Sequence, residues 1–297
     1  LFPRERVKVD WDPYSPEIPK HIEMHGEPPK QVGGFSRFGD DFSKFLKAAS
    51  KVLKPGGLLV VWYAYGRLHG WEELFYRFYE AGYSITKAWQ VWTQSSQRRV
   101  ALHTKAFFTS MVIVARPNAN RRLLLDNDPR LAEEAARRAV ESLRYVLGTY
   151  GREHLHEALV VSLADGMAAA TAFETPASNP MEARAAYRNL VSKALNAAVN
   201  AVLKELTHAG RSAELDAVSR LYLALLLAAS NDGGQLRVSH DFASRISQVV
   251  GAPLDSVLVK GRKSGDTDFL MPPADMAKRS YAVSRALKLI YEVADKL

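Results

Sequence analysis

Lys54-Pro55-Gly56-Gly57-Leu58-Leu59-Val60-Val61-Trp62-Tyr63-Ala64-Tyr65 is the stretch on which the fold turns. Pro55 stops a helix and the glycine pair permits a tight turn, so one element must end here and another begin. Leu58 to Tyr65 is then apolar without alternation, the pattern of a strand buried on both faces of a parallel sheet. Upstream, Phe42, Phe45, Leu46, Ala49 and Leu53 recur at three- and four-residue spacing with Lys44, Lys47 and Lys51 between them. That spacing predicts an amphipathic helix over Phe38 to Leu53. Downstream, a turn over Gly66 to Gly70 leads to a helix over Trp71 to Ala81, with Trp71, Leu74, Phe75 and Phe78 on one side and Gly82 at its end. Tyr83 to Trp92 and Ser110 to Ala115 predict two further strands, the second closed by Arg116-Pro117, and the connection Thr93 to Thr109 is polar and basic. Helix, turn, buried strand, helix, strand, long loop and strand predict part of an α/β sheet that ends in an antiparallel pair.

The flanks differ from this centre. Residues 1–37 hold Pro3, Pro13, Pro16, Pro19, Pro28, Pro29 and the pair Gly33-Gly34, and read as an extended loop region. From Pro129 the period is helical: Ala132 to Tyr150, Glu182 to Ala209, Leu215 to Ala229, His240 to Val250 and Asp275 to Leu297 are the predicted helices. The loops between them fall at Thr175 to Pro180, Asn231 to Gly234 and Gly261 to Asp268. The expectation for 118–297 is an all-α helical domain, and no sustained repeat points to a solenoid.

With 297 residues, 47% of them hydrophobic and 24% charged, the chain has the composition of an ordinary globular protein. There are no cysteines, which excludes disulfides, thiolate nucleophiles and cysteine-ligated zinc. No apolar run reaches the roughly 18 residues that a membrane span needs, so no membrane partner is expected; a cytoplasmic address fits the absence of cysteine. The net charge is +8. Between Lys51 and Arg116 nine Lys or Arg face three Glu, whereas from Pro117 onward 23 basic residues face 21 acidic ones. A positive field concentrated on one segment favours a polyanionic partner, against the alternative of ordinary surface solvation.

Lys54 to Gly57 followed by Leu58 to Val61 resembles the turn before the fifth strand of class I S-adenosylmethionine-dependent methyltransferases. The continuation extends the match: Gly70-Trp71-Glu72-Glu73-Leu74, then Glu80-Ala81-Gly82-Tyr83-Ser84-Ile85, then Trp89-Gln90-Val91-Trp92-Thr93, and after the basic loop Ser110-Met111-Val112-Ile113-Val114-Ala115-Arg116-Pro117. In this order the chain resembles the carboxy-terminal part of the large adenine-specific DNA methylases, a zinc-ribbon-associated group. Asp216-Ala217-Val218-Ser219-Arg220-Leu221-Tyr222-Leu223 is similar to a segment that follows the methylase core in that group. The resemblance implies that 38–117 is the closing half of a partial Rossmann-like methyltransferase sheet. It implies N6-adenine methylation of DNA by the complete protein, with S-adenosylmethionine as methyl donor and direct transfer to the amino nitrogen of a flipped adenine. No covalent enzyme intermediate is needed, in keeping with the missing cysteine.

The departures from the family pattern lie upstream. The glycine-rich cofactor turn is missing, so no cofactor-binding residue is assigned, and so is the Asp/Asn-Pro-Pro-Tyr motif that holds the target adenine. Asp12-Pro13-Tyr14 is the nearest catalytic candidate, but Arg4-Glu5-Arg6-Val7-Lys8-Val9 before it is too charged for a central buried strand. The other reading makes 1–34 the long loop that follows the motif in this family. The chain is then expected to be a fragment, inactive alone and dependent on a separate amino-terminal methylase subunit. In the basic loop, Thr93, Arg98, Arg99, His103 and Lys105 are candidates for phosphate contact, with a solvated hairpin tip as the alternative. Trp89, Trp92, Phe107 and Phe108 beside it are available for base stacking, although aromatic side chains in strands are more often core. His21-Ile22-Glu23-Met24-His25 has the residues of a zinc hydrolase in the wrong order, so no metal site is expected. No serine sits in a Gly-x-Ser-x-Gly elbow, and a hydrolase triad finds no support. Two rivals to the methylase reading remain: a non-catalytic nucleic-acid-binding module, and a helical interaction module on an α/β scaffold.

Overall fold

The computed structural model describes residues 34–54, 56–63, 68–92, 109–118, 120–125, 128–151, 154–207, 215–232, 235–264, 267–280, 282–284 and 286–287. The fold is mixed α and β. Helix α1 (Gly34–Val52) leads through the Gly56 turn into β1 (Leu59–Tyr63), and α2 (Leu68–Glu80) crosses over to β2 (Tyr83–Trp92). Strand β3 (Thr109–Pro117) then runs back between the two, giving the order β1-β3-β2 with both pairs antiparallel. β1 and β2 therefore lie parallel to each other with an antiparallel strand inserted. Gly56 and Gly82 sit at φ of 75° and 81°, a left-handed conformation that favours glycine at the turns before β1 and β2.

Register divides the sheet into two faces. Leu59, Ala115 and Ile85 line up across it, as do Val61, Ile113 and Ala88, and these rows meet the aromatic core of α2, where Phe75 and Phe78 are fully buried. Phe42 of α1 meets Phe78 edge-on at 5.5 Å between ring centroids, and the Tyr83 hydroxyl donates to the Leu46 carbonyl at 3.1 Å. The opposite face carries the rows Val60–Val114–Lys87 and Trp62–Val112–Trp89. Here the expectation for β1 is corrected. Instead of a strand buried on both faces of a parallel sheet, it pairs antiparallel and only with β3 among the described residues, and Leu58, Val60 and Trp62 are 48%, 49% and 62% exposed. An unbroken apolar run signals burial only when both faces and both edges are covered, and β1 is covered on one side.

Beyond the sheet, β4 (Arg122–Leu123) pairs in parallel with β5 (Phe173–Glu174), and between them come α3 (Arg130–Tyr150) and α4 (Leu155–Ala168), the latter followed by a 3-10 turn over Ala169–Ala172. Helix α5 (Pro180–Leu206) starts at a capping box: the Asn179 side chain accepts from the Glu182 amide at 3.0 Å, Glu182 reaches back to the Ser178 amide at 2.8 Å, and Pro180 fills the first position. Asp216 caps α6 (Ala217–Ala228) in the same way, accepting from the Ser219 amide at 2.8 Å.

The expectation of an all-α segment over 118–297 needs a second correction. β6 (Ser230–Asp232), β7 (Gln235–Ser239), β8 (Leu258–Ser264) and β9 (Thr267–Leu270) form an antiparallel sheet in the order β6-β7-β9-β8, with α7 (His240–Val250) between β7 and β8 and α8 (Pro273–Arg279) after β9. The two loops expected at Asn231 to Gly234 and Gly261 to Asp268 are in large part these strands. β6 and most of β8 are polar and lack alternation, while β7 alternates over only five residues, Gln235-Leu236-Arg237-Val238-Ser239, too short to stand out between helices. Helix α4 also escapes the periodic reading, because Ala158, Leu159, Val160, Val161, Leu163, Ala164, Met167 and Ala168 bury it on every side. One cluster of buried side chains runs from Leu46 through α4 to Leu287.

Gly166 is a point of close helix packing. A Cβ there would meet the Ala198 Cβ at 2.6 Å and the Ala135 carbonyl oxygen at 3.2 Å, so α3 and α5 close directly onto the α4 backbone. Helix propensity alone favours alanine over glycine by about 1 kcal/mol, whereas overpacking of a close-packed interior costs about 1–3 kcal/mol. The clash wins, and Gly166→Ala is expected to lower the urea-unfolding free energy. A gain near the propensity value would show that the three helices are not in contact at this residue.

Candidate functional site

The outer edge of β2 is where the sheet meets the helices, and a single extra residue shapes it. In a regular strand, amides two residues apart point to the same side. At Thr86 the register slips by one, between Ile85 and Lys87, and the Thr86 hydroxyl donates to the Val114 carbonyl at 3.1 Å. The bulge brings two amides three residues apart, those of Ile85 and Ala88, to the same outer side. The Ile85 amide donates to the Thr171 hydroxyl at 2.8 Å and the Ala88 amide to Asp165 Oδ1 at 3.3 Å, while Arg138 donates to the Ile85 carbonyl at 2.8 Å. Three side chains from α3, α4 and the 3-10 turn thus stand where a neighbouring strand would.

Asp165 links that edge to a cleft. Its side chain is fully buried, Oδ2 accepts from the Ser142 hydroxyl at 2.7 Å, and the Lys87 ammonium lies 3.3 Å from the same oxygen. Lys87 also reaches Glu141 at 3.3 Å, nearer the surface. Burial pushes the Asp165 carboxyl above the ordinary aspartate range, against the pull of Lys87 and the Ser142 bond. Burial also opposes ionisation of Glu141, but bonds from Arg137 and Lys87 outweigh it and hold that carboxyl below its usual range. Above these groups opens a cavity of about 220 Å³, lined by Lys87, Trp89, Glu141, Ser142, Tyr145 and Val161. Trp89 and Tyr145 are 43% and 47% exposed. Trp89 therefore departs from the expectation that aromatic side chains in these strands belong to the core. The slot has two aromatic walls that suit a planar group, and the Lys87 ammonium at its base is already paired with Asp165 and Glu141.

The cleft opens near the end of β2. Trp92, three residues beyond Trp89, pairs with Thr109, so the segment 93–108 leaves and rejoins the sheet there. The candidates for phosphate contact, Thr93, Arg98, Arg99, His103 and Lys105, lie outside the described residues, as do Phe107 and Phe108. So do the catalytic candidates Asp12, Pro13 and Tyr14, and the histidines His21 and His25. The site residues found instead, Lys87, Glu141, Ser142, Tyr145 and Asp165, carry no motif. Only the odd aspartate inside the apolar helix Leu155–Ala168 marked the spot.

A second cavity, of about 240 Å³, lies between α2 and α5 and is lined by Glu72, Glu73, Tyr76, Arg184, Tyr187 and Arg188. Its charges are tied to one another: Glu73 pairs with Arg77 at 2.7 Å and Arg184 at 3.2 Å, and Glu72 pairs with Arg245. Neither cavity fits S-adenosylmethionine, since neither offers a glycine turn after a buried strand. The Gly56-Gly57 turn precedes β1, and Gly57 packs against its own turn, where a Cβ would meet the Lys54 carbonyl at 2.8 Å. Among the described residues no group of three or more His, Asp or Glu is placed to hold a metal ion, and no helix is long and apolar enough to cross a membrane.

The raised Asp165 pKa has a definite sign. The folded state binds its proton more tightly than the unfolded chain, so the contribution of Asp165 to stability is fully present below about pH 4 and is lost as pH rises through the folded value. Asp165→Asn keeps an acceptor for the Ala88 amide and carries no charge. It is expected to gain stability relative to the parent protein as pH rises, whereas Asp165→Ala orphans that amide and loses about 1–3 kcal/mol. Denaturation midpoints across pH check both, and a parent-minus-Asn difference that is flat with pH would contradict the burial of a charged group here.

No family model, curated protein or solved structure matches this chain.

Proposed function

We propose that this chain supplies the closing strands and helical half of an S-adenosylmethionine-dependent, adenine-specific DNA N6-methyltransferase, and that a separate amino-terminal methylase subunit brings the cofactor turn and the catalytic motif. The observation that carries this reading is the strand order. A helix crossover joins two parallel strands, β1 and β2, and a final antiparallel strand inserts between them, which is how a methyltransferase sheet is expected to end. The exposed Val60 and Trp62 on β1, with Leu58 just before it, agree with it, since apolar side chains exposed on a strand are costly unless something covers them. The cytoplasmic address belongs to the same proposal. Because the described residues do not hold the cofactor, no step of the transfer is assigned to them; their part is to complete the sheet and to contact DNA.

The DNA contact is assigned to the basic segment, with Thr93, Arg98, Arg99, His103 and Lys105 on phosphates. The basic segment favours, as a second reading, a nucleic-acid-binding module, since the described residues offer no cradle for the methyl donor. Isothermal calorimetry separates the two. The chain alone is expected to give no heat with S-adenosylmethionine, and the complex with the amino-terminal subunit is expected to bind it; a complex that does not bind leaves only the second reading. For the contact itself, Arg98→Ala, Arg99→Ala and Lys105→Ala combined should reduce the slope of log affinity against log salt by about 3, roughly one unit per lost phosphate contact. An unchanged slope would remove the segment from the interface under either reading.

A further inference from the structure

Away from the cleft, the second sheet and α7 assemble three side chains that the sequence holds apart. Ser239 ends β7 and His240 opens α7; Ser244 follows one helical turn later, and Asp268 comes from β9, paired with Val238 of β7. His240 Nδ1 lies 2.7 Å from Asp268 Oδ2, and His240 Nε2 lies 3.3 Å from Ser244 Oγ. The tautomer follows from the partners. A carboxylate only accepts, so Nδ1 carries the proton and donates it to Asp268, which leaves Nε2 as the acceptor facing the Ser244 hydroxyl. The Asp268 side chain is 2% exposed and that of His240 is 46% exposed. The ring is thus fixed from inside the protein and open to solution outside. No Gly-x-Ser-x-Gly elbow is present; the helical spacing of His240 and Ser244 replaces it.

We propose that Ser244, His240 and Asp268 form an acyl-transfer relay whose substrates are carboxylic esters presented from solution. Ser244 is half-buried and His240 is exposed, so ester groups presented from solution can reach Ser244. In the first step Ser244 Oγ bonds to the ester carbonyl carbon as its proton passes to His240 Nε2. The carbon–oxygen bond to the alcohol then breaks, and Nε2 returns the proton to the departing oxygen. Water next adds to the acyl carbon, gives a proton to Nε2 and releases the carboxylic acid, and Ser244 recovers its hydrogen. Asp268 holds the ring and balances the imidazolium in both halves.

The test is covalent labelling of the full chain with a fluorophosphonate probe, read by mass spectrometry, beside hydrolysis of p-nitrophenyl acetate. The folded protein is expected to be labelled at Ser244 and the heat-unfolded protein not at all. Ser244→Ala should abolish the label, and His240→Gln should slow both labelling and hydrolysis about 100-fold, with helical content checked by circular dichroism. Asp268→Asn, which presents the wrong partner to Nδ1, should slow both as well. A folded protein that takes no label, a label that survives Ser244→Ala, or a rate indifferent to His240→Gln would each overturn the proposal and reduce the three residues to a tie between α7 and β9.

Discussion

The outer edge of β2 has to be closed, and helices close it. Any sheet edge presents amides and carbonyls that cost about 1–3 kcal/mol each if buried without partners. Here Thr171, Asp165 and Arg138 take the Ile85 amide, the Ala88 amide and the Ile85 carbonyl. The arrangement depends on the bulge at Thr86, because without the extra residue one of the two amides would point back toward β3. It also explains why a carboxylate sits inside an otherwise apolar helix. Asp165 is placed to accept from the strand, and Lys87 is drawn in beside it to offset the charge. The cleft, its aromatic walls and the join between the sheet and the helical half all follow from that single closure.

The opposite edge is treated differently. Strand β1 has β3 on one side and, among the described residues, no strand on the other, and its outward face keeps Val60 and Trp62 in the open. Among the described residues the sheet is sealed on one edge by side chains and unpaired on the other, which gives it a direction in which it can grow. On the proposed reading this is where the sheet of the amino-terminal subunit joins, so that the open edge becomes an internal one. The helical half then acts as a permanent stop on the far side.

Much of this architecture was legible in the residues. Pro55-Gly56-Gly57 marked the entry to β1, Gly82 the entry to β2, and the heptad-like spacing of Phe42, Leu46 and Ala49 gave α1. Periodicity placed helices from Glu182 and Leu215, and the structure shows the capping by Asn179 and Asp216 that starts them. What escaped had a physical reason. Helix α4 is buried all round and so has no polar stripe to set a period, and the strands from Ser230 to Leu270 are short, with too few apolar positions to set a pattern. The Ser244–His240–Asp268 set and the Lys87–Asp165 pair join residues 28 and 78 positions apart at their extremes, respectively, and only tertiary packing brings them into contact. The basic segment, by contrast, stood out in sequence through charge alone.

Amide hydrogen exchange read residue by residue tests the central claim most directly. If side chains of α3, α4 and the 3-10 turn close the outer edge of β2, the Ile85 and Ala88 amides exchange as slowly as the β2–β3 ladder, while the β1 amides that face away from β3 exchange fast. Fast exchange at Ile85 and Ala88 together with slow exchange along the outer side of β1 would contradict the account, because the sheet would then be open where it is described as sealed.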